Sequence, residues 1–506
     1  MISRYRVCTA LAAALAAGTM ATAHYAVAQE TATPSVAPTT ASMTFEQARA
    51  RLDSTSSLTR AADYGVQAAQ AHANVAAGLH RPTVSLDAML IRYRKTFNLD
   101  LSEGLDRAQQ DIGAAIPGLV SNLPGVTPDL ASLVEQRLQQ ALPEIFAALP
   151  SDLRLRLEET SFRPTVTAIQ PIYSGGAIPA LQRAAQANVA LAEARRAEAG
   201  ELESVNLVRA YFGQVLAAEA LKVAIDTRDG FDLHLENARR MEREGVLARA
   251  QVLQVEVARD TAQRQVNRAE VEYENAKASL ARVVGTEGVV TPASPLFVNR
   301  ESAGGLYAFT DPASPPVARV AQAQAGRDLA EAGADLAASQ FRPKVYAFGT
   351  YNMNPDDALA TEPDWAFGVG MRYTLLSSIN RREMVGAARA QASAASSLER
   401  QAREDSRLLV TRAYNQTDLA RRQFLSLQSS LNAAEENLRV QEIAFREGET
   451  TASIVIEARN MLSTAKLQRA LTAYEYTLSL AALLAASGQS DAFADYLQRP
   501  DRIVAQ

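Results

Sequence analysis

None of the chain's 20 prolines falls between Ala180 and Thr291 or between Asp364 and Arg499, although prolines recur through the rest of the 506 residues. Both tracts are rich in Ala, Leu, Glu, Gln and Arg, so nothing in them opposes long helices. Each is broken near its middle by one glycine turn, at Gly245 and at Gly448. Laid over one another with a shift of 203 residues, Pro171 to Gly285 matches Thr374 to Gly488 without a gap. Arg209-Ala210-Tyr211 falls on Arg412-Ala413-Tyr414, Arg243-Glu244-Gly245 on Arg446-Glu447-Gly448, Tyr273 on Tyr476 and Gly285 on Gly488. Shared composition makes helices look alike, but it does not bring glycine turns and tyrosines into one register, so the chain is an internal duplication.

A second correspondence lies upstream of each tract. His80-Arg81-Pro82-Thr83-Val84 matches Phe341-Arg342-Pro343-Lys344-Val345, and each follows an Ala-rich segment that reads as helix, from about Thr44 and from about Pro316. The order in each half is helix, strand, strand, long helix, turn, helix. The halves differ mainly in the connection between their two strands, which in the first half runs over about residues 92–160. Within it, Pro128-Asp129 opens a segment through Leu142 with Leu130, Leu133, Val134, Leu138 and Leu142 spaced as a short amphipathic helix.

The N-terminus reads as an export signal: Arg4 and Arg6, an Ala/Leu-rich run from Val7 to Ala17, and a small-residue cleavage site at Ala26-Val27-Ala28. Cys8, the only cysteine, lies inside that signal, so the exported chain is expected to have no thiol for a disulfide, a metal site, a nucleophile or an acyl anchor. The formal net charge of −5 becomes −7 without Arg4 and Arg6, with both signs interspersed, which argues against a nucleic-acid partner. Beyond the signal no segment approaches the length of unbroken apolar sequence that a membrane helix needs, so a bilayer crossing must use strands.

Such strands are present. Trp365, Phe367, Val369, Met371, Tyr373 and Leu375 share one face, with Ala366, Gly368, Gly370 and Arg372 on the other, as a lipid-facing surface backed by a small, polar lumen requires. Trp365 and Tyr373 suit the two interfacial aromatic belts. In the first half Val84, Leu86, Ala88 and Leu90 alternate with Thr83, Ser85, Asp87 and Met89, and the pattern is weaker over Arg163 to Tyr173. Four strands leave two sheet edges, and open edges have no hydrogen-bond partners in lipid. If these strands span, several chains must close one barrel.

The helices carry coiled-coil seams. After Gly245 the 3,4 spacing runs through Val252, Val255, Arg259, Ala262, Val266, Ala269, Tyr273, Ala276, Leu280 and Val283. After Gly448 the same positions are Val455, Ala458, Leu462, Ala465, Arg469, Thr472, Tyr476, Ser479, Leu483 and Ala486. The upstream helix from about Ala177 to Glu244 would extend roughly 100 Å at 1.5 Å per residue, more than a globular core uses. A wall of neighbouring helices and a plain antiparallel rod both fit these seams.

The combination of export signal, paired membrane-type strands, duplicated helical hairpins and glycine tips resembles the TolC family of outer-membrane efflux and secretion proteins, from about Thr44 to Gly488. It includes the strand ending Pro171-Ile172-Tyr173-Ser174-Gly175-Gly176 that feeds the first long helix. The resemblance implies a mainly α chain with membrane β: long antiparallel coiled-coil helical hairpins forming a periplasmic α-barrel, and four strands per chain contributed to a trimeric 12-stranded β-barrel. On this reading the chain divides into a signal peptide (1–28), a flexible N-terminal segment (29–43), a first repeat (44–285), a linker or equatorial region (286–314), a second repeat (315–488) and a tail (489–506). The first repeat holds strands at about 81–91 and 162–173, the long external insertion 92–160 and a helical hairpin over 177–285 with its tip at 245. The second holds strands at about 342–352 and 364–376 and a hairpin over 379–488 with its tip at 448.

The resemblance also implies partners: a homotrimer in outer-membrane lipid, a periplasmic adaptor docked at the hairpin tips, and an inner-membrane pump or ABC exporter. The corresponding tip residues are Gly245, Val246, Leu247, Ala248, Gly448, Glu449, Thr450 and Thr451. Rings of acid that narrow the family's tunnel correspond to Ile454 and Glu457 in the second hairpin, with Gln251 in the first, so only one acidic place is kept. The expected function is a passive exit duct serving a tripartite efflux pump or a type I secretion system. A soluble periplasmic coiled-coil scaffold or adaptor is the alternative, and it has no use for the apolar strand face at Trp365 to Leu375.

Catalytic chemistry is absent from the sequence. His72, His80 and His234 stand at no metal-ligand spacing, and there is no phosphate loop, no GxSxG turn and no Cys/His pair. No enzyme activity, cofactor or metal is expected.

Overall fold

A computed structural model describes residues 41–121, 127–311, 315–357 and 363–505. The export signal at 1–28 lies outside the described residues. In chain order the elements are β1 (Ala41–Met43), α1 (Phe45–Thr55), α2 (Ser57–Ala77), β2 (Thr83–Asp100), α3 (Ser102–Ser121), α4 (Pro128–Ala147), β3 (Asp152–Tyr173), α5 (Ala177–Arg243) and α6 (Arg249–Val284). There follow β4 (Val290–Pro292), β5 (Phe297–Asn299), α7 (Tyr307–Thr310), α8 (Ala318–Ser339), β6 (Lys344–Asn352), β7 (Trp365–Arg372), α9 (Arg381–Arg446), α10 (Ala452–Ala486), α11 (Phe493–Gln498) and β8 (Arg502–Val504).

The proline-free tracts are the two hairpins. α5 and α9, of 67 and 66 residues, are each paired along one half by a shorter helix, α6 and α10. Along their other half α2 packs on α5, and α8 packs on both α5 and α9. Close approach there rests on small residues in heptad register: Ala180, Ala187 and Ala194 of α5, and Ala325, Ala332 and Ser339 of α8, are all buried. The seams after the tips are found as well, with Val252, Val255, Ala262, Val266, Ala269 and Leu280 buried on α6. α10 buries Val455, Ala458, Thr472, Tyr476, Ser479 and Leu483, and more besides, because it is wedged between α9 and α5.

The duplication reaches into backbone detail. All four hairpin ends carry a glycine at positive φ: Gly245 (74°), Gly448 (72°), Gly285 (68°) and Gly488 (71°). Behind each glycine the same helix-closing bond recurs 203 residues on: Val246 N–H donates to Met241 O as Glu449 N–H does to Ala444 O, and Thr286 N–H to Ala281 O as Gln489 N–H to Leu484 O. This is the Schellman closure, which glycine permits without a Cβ clash.

At mid-height of the long helices a layer binds segments far apart in sequence. β1 pairs parallel with β4, and β5 pairs antiparallel with β8. Residues 286–311 and 489–505, within the segments read as linker and tail, therefore build one shared layer. Phe45, Tyr211, Phe212, Phe297 and Phe493 pack ring on ring at centroid separations of 4.9 to 6.1 Å, with Tyr476 against Phe297. The buried hydroxyls are satisfied: Tyr211 donates to Met43 O at 2.8 Å and accepts from Ser294 N–H at 2.9 Å, and Tyr476 donates to Asn299 Oδ1 at 3.0 Å.

The four long strands form one antiparallel sheet in the order β2-β3-β6-β7. Readings of three strands and one helix are corrected here. β2 does not stop near 91 nor β3 begin near 162; they run on together to Asp100↔Asp152, inside the segment read as an external insertion. The insertion's short helix at Pro128 is the longer α4, and a second helix, α3, precedes it. β7 ends at Arg372, so Tyr373 and Leu375 lie past the strand.

Candidate functional site

Two regions carry the expected function: the sheet and the hairpin tips. In the sheet, register places Leu86, Val166, Tyr351 and Trp365 side by side in one row, and Val84, Ala168, Gly349 and Phe367 in the next. Val369 and Met371 continue the same face down β7. Phe367 is 76% exposed and Met371 70%, and the Trp365 and Phe367 rings stack at 5.3 Å. Tyr373, just beyond the strand, is also exposed. An aromatic and aliphatic face so open to solvent is unfavourable in water and suits a lipid surface.

The opposite face departs from a small, polar lining. Ser85, Asp87, Thr165, Thr167 and Thr350 fit it, but Tyr346 and Phe348 lie on this face over Gly370 and Gly368. A Cβ at Gly370 would come within 2.8 Å of the Tyr346 ring, and one at Gly368 within 3.2 Å of the Phe348 ring. These two glycines on β7 are therefore sockets for aromatic side chains of the neighbouring strand. Cross-strand pairs of this kind stabilise a sheet where glycine alone would weaken it.

At the far end of the hairpins the two tips pack on each other. Leu235, Ala238, Val252, Val255, Leu438, Phe445, Ala452, Val455 and Ala458 form one buried cluster, with Leu247 packed against it. Gly245, Val246, Ala248, Gly448, Glu449 and Thr451 remain exposed, and Leu247 and Thr450 are half-buried. Gln251 is held between the tips: its side-chain oxygen accepts from Ala452 N–H at 3.4 Å, at the start of α10. Ile454 and Glu457 are exposed one helical turn apart on α10.

Sequence reading missed a cluster just above the tips. Arg459 of α10 ion-pairs with Glu442 of α9, its guanidinium lies 5.7 Å from the Phe231 ring, and it occupies the space over Gly230 of α5. A Cβ at Gly230 would stand 1.6 Å from Arg459 Nη1. In the first repeat the equivalent pair is Arg239 with Glu256 at 2.9 Å, the same bridge with its charges exchanged. The 203-residue shift, applied to charged positions, would have revealed it. Beside it His234 is 5% exposed, its ring 4.5 Å from that of Phe445. Burial, with the Arg459 charge nearby, pushes its pKa down to about 4.

Among the described residues no helix is long and apolar enough to cross a membrane, and no group of three His, Cys, Asp or Glu could hold a metal ion. Neither statement bears on a β-barrel.

Residues 318–489 match the family Outer membrane efflux protein. Protein CyaE of Bordetella pertussis is 26% identical over 333 residues, covering 64% of this chain and 70% of that protein. The fold is shared with the CmeC outer membrane channel of Campylobacter jejuni, at a TM-score of 0.66 and 13% identity over 88% of this chain and 86% of that one. It is shared equally with a membrane protein from Pseudomonas aeruginosa, at a TM-score of 0.68 and 12% identity over 88% and 93%. Residues 318–489 are thus similar to outer membrane efflux proteins, and the chain as described shares its fold with outer-membrane channels.

Proposed function

We propose that three copies of the chain close one 12-stranded β-barrel and one periplasmic α-barrel, and that the assembly is the exit duct of a tripartite efflux pump or a type I secretion system. The observation that carries this reading is the β2-β3-β6-β7 sheet, apolar across one face and, among the described residues, unpaired along both outer edges. In hydrocarbon each unpaired backbone group costs several kcal/mol, by order of magnitude. Closure by further copies removes that cost, and three is the number the family resemblance implies. Trp365, Phe367, Val369, Met371 and Tyr373 then face lipid.

The tip segments 245–248 and 448–451, exposed except at Leu247 and Thr450, offer the docking surface for a periplasmic adaptor, through which an inner-membrane pump or ABC exporter supplies the energy. Glu457 from three copies would ring the tunnel just above the tip with three carboxylates, favouring cations. Ile454 and Gln251 add no charge there. Planar-bilayer recording of the detergent-purified protein tests the duct: discrete single-channel steps are expected. Recovery of the protein in the soluble periplasmic fraction without detergent would instead support a coiled-coil scaffold.

A further inference from the structure

The β2–β3 pair outlasts the rest of the sheet. Pairing of β3 with β6 ends at Thr165↔Asn352, and that of β6 with β7 at Tyr351↔Trp365, whereas β2 and β3 stay paired through Asp100↔Asp152. At about 3.4 Å per residue this two-stranded ribbon projects about 40 Å beyond the sheet on the side away from the helices. Its tip carries α3 and α4, which pack on each other with Gly113 beside Leu142.

The ribbon's polarity inverts along its length. Up to Leu90↔Phe162 the face shared with Phe367 is apolar, with Val84, Leu86 and Val166. Beyond that pair the same face reads Arg92, Arg94, Arg154, Arg156, Glu158 and Thr160, all exposed, with Glu158 ion-paired to Arg94. The continuation of the lumen face changes in the opposite sense: Ser85, Asp87 and Thr167 give way, through Met89 and Ile91, to Tyr93, Phe97, Leu99 and Leu153, with Lys95 and Glu159 the charged positions in that stretch. Leu99 and Leu153, directly paired, are about half exposed. The hairpin above does the same: Ile116 and Val120 are buried between its helices, yet Leu119, Leu130, Leu133 and Ile145 stand open to solvent.

We propose that the ribbons and α3–α4 hairpins of the three copies pack on one another into an extracellular cap over the channel mouth, so that the partner of this apolar face is a second copy of the chain. This rests on the trimeric reading above. Lipid is excluded as the occupant because the face turned outward is the charged one. The apolar face continues the lumen side, toward the axis around which the copies are arranged. β2 is an edge strand of the sheet, so closing the barrel sets the next copy beside each ribbon and gives the caps a high effective concentration for one another. The inversion also accounts for the change of pattern at Leu90–Arg92: it marks where the strand leaves the membrane and its surroundings exchange.

Single cysteines test this in a Cys8→Ser background, which leaves no other thiol in the chain. Leu119→Cys and Leu133→Cys place a thiol on the open apolar face. Gln139→Cys places one on the exposed opposite side of α4. Mild oxidation of outer membranes followed by non-reducing electrophoresis should give disulfide-linked dimers of this chain at 119 or 133, in at least about tenfold excess over position 139, since the bond forms only where Cα atoms come within about 7 Å. Native mass spectrometry of the same variants in detergent separates the two readings. Trimers with no crosslink at either position, trimers equally crosslinked at 139, or crosslinks to a different protein overturn the cap and leave the duct standing. Monomers throughout overturn the trimeric reading and the cap with it.

Discussion

Acidification should loosen the tips through His234. In the folded chain its pKa is about 4, against about 6.5 when the chain is unfolded. Because the folded value is the lower one, the unfolded chain binds more protons between those limits, and stability falls as pH drops through that window. The neutral imidazole's full contribution is present above pH 6.5. A shift of this size corresponds to about 3 kcal/mol at most, of which about 2 kcal/mol is already lost at pH 5. The charges facing the ring are Arg459 of α10 and Glu442 and Arg446 of α9, and Glu442 is already engaged by Arg459. A protonated His234 therefore sits buried next to a guanidinium, in the seam that joins the two hairpins. Hydrogen exchange read over residues 445–458 at pH 7.5 and pH 5.0 is the assay, with His234→Asn as the control, because Asn437 occupies the equivalent place in the second repeat. Wild type should lose protection at pH 5.0 relative to pH 7.5, and the Asn variant should not. Equal pH dependence in both proteins would refute the argument.

Three further outcomes follow from the packing. Tyr476→Phe leaves Asn299 Oδ1 without its buried donor and should cost about 1–3 kcal/mol, read as a lower urea midpoint. Gly370→Val forces a side chain into the Tyr346 ring and should destabilise the sheet by about 1–3 kcal/mol; adding Tyr346→Ala should recover much of this in heat-dependent gel mobility. Arg459→Ala removes a largely buried partner of Glu442 and should cost about 2 kcal/mol, whereas the double exchange Glu442→Arg with Arg459→Glu restores the bridge in the polarity of the first repeat and should be milder, as a double-mutant cycle by thermal denaturation would measure.

The long helices and their glycine ends were legible because their signals are local and occur twice. A proline-free tract, a 3,4 seam and a glycine that must adopt positive φ each announce themselves within a few turns, and the 203-residue register made every one of them a paired observation. The strands of the second half were legible for a similar reason: a period-two pattern holds from Trp365 to Met371 without interruption. β2 and β3 were read short because period-two reasoning assumes that one face stays apolar. At Leu90 the apolar face changes sides, so the pattern breaks off although the strands run on.

The mid-height layer was illegible for a different reason. β5 and β8 are three residues each and about two hundred apart, too short for any periodicity to show and joined only by tertiary packing. Segments with no regular pattern were thus read as linker and tail, although Phe297 and Phe493 lie at the centre of the core. The aromatic lining at Tyr346 and Phe348 was missed because the small side chains of β7 were taken as open space. They are glycines because the neighbouring strand fills that space.

On the proposed reading an open four-stranded sheet is completed by its own copies. Native mass spectrometry of the protein released from outer-membrane detergent micelles measures this directly, and an assembly of three chains is expected as the dominant species. A single chain that remains inserted and conducts in a planar bilayer would contradict it, because its two sheet edges would then lie unpaired in lipid.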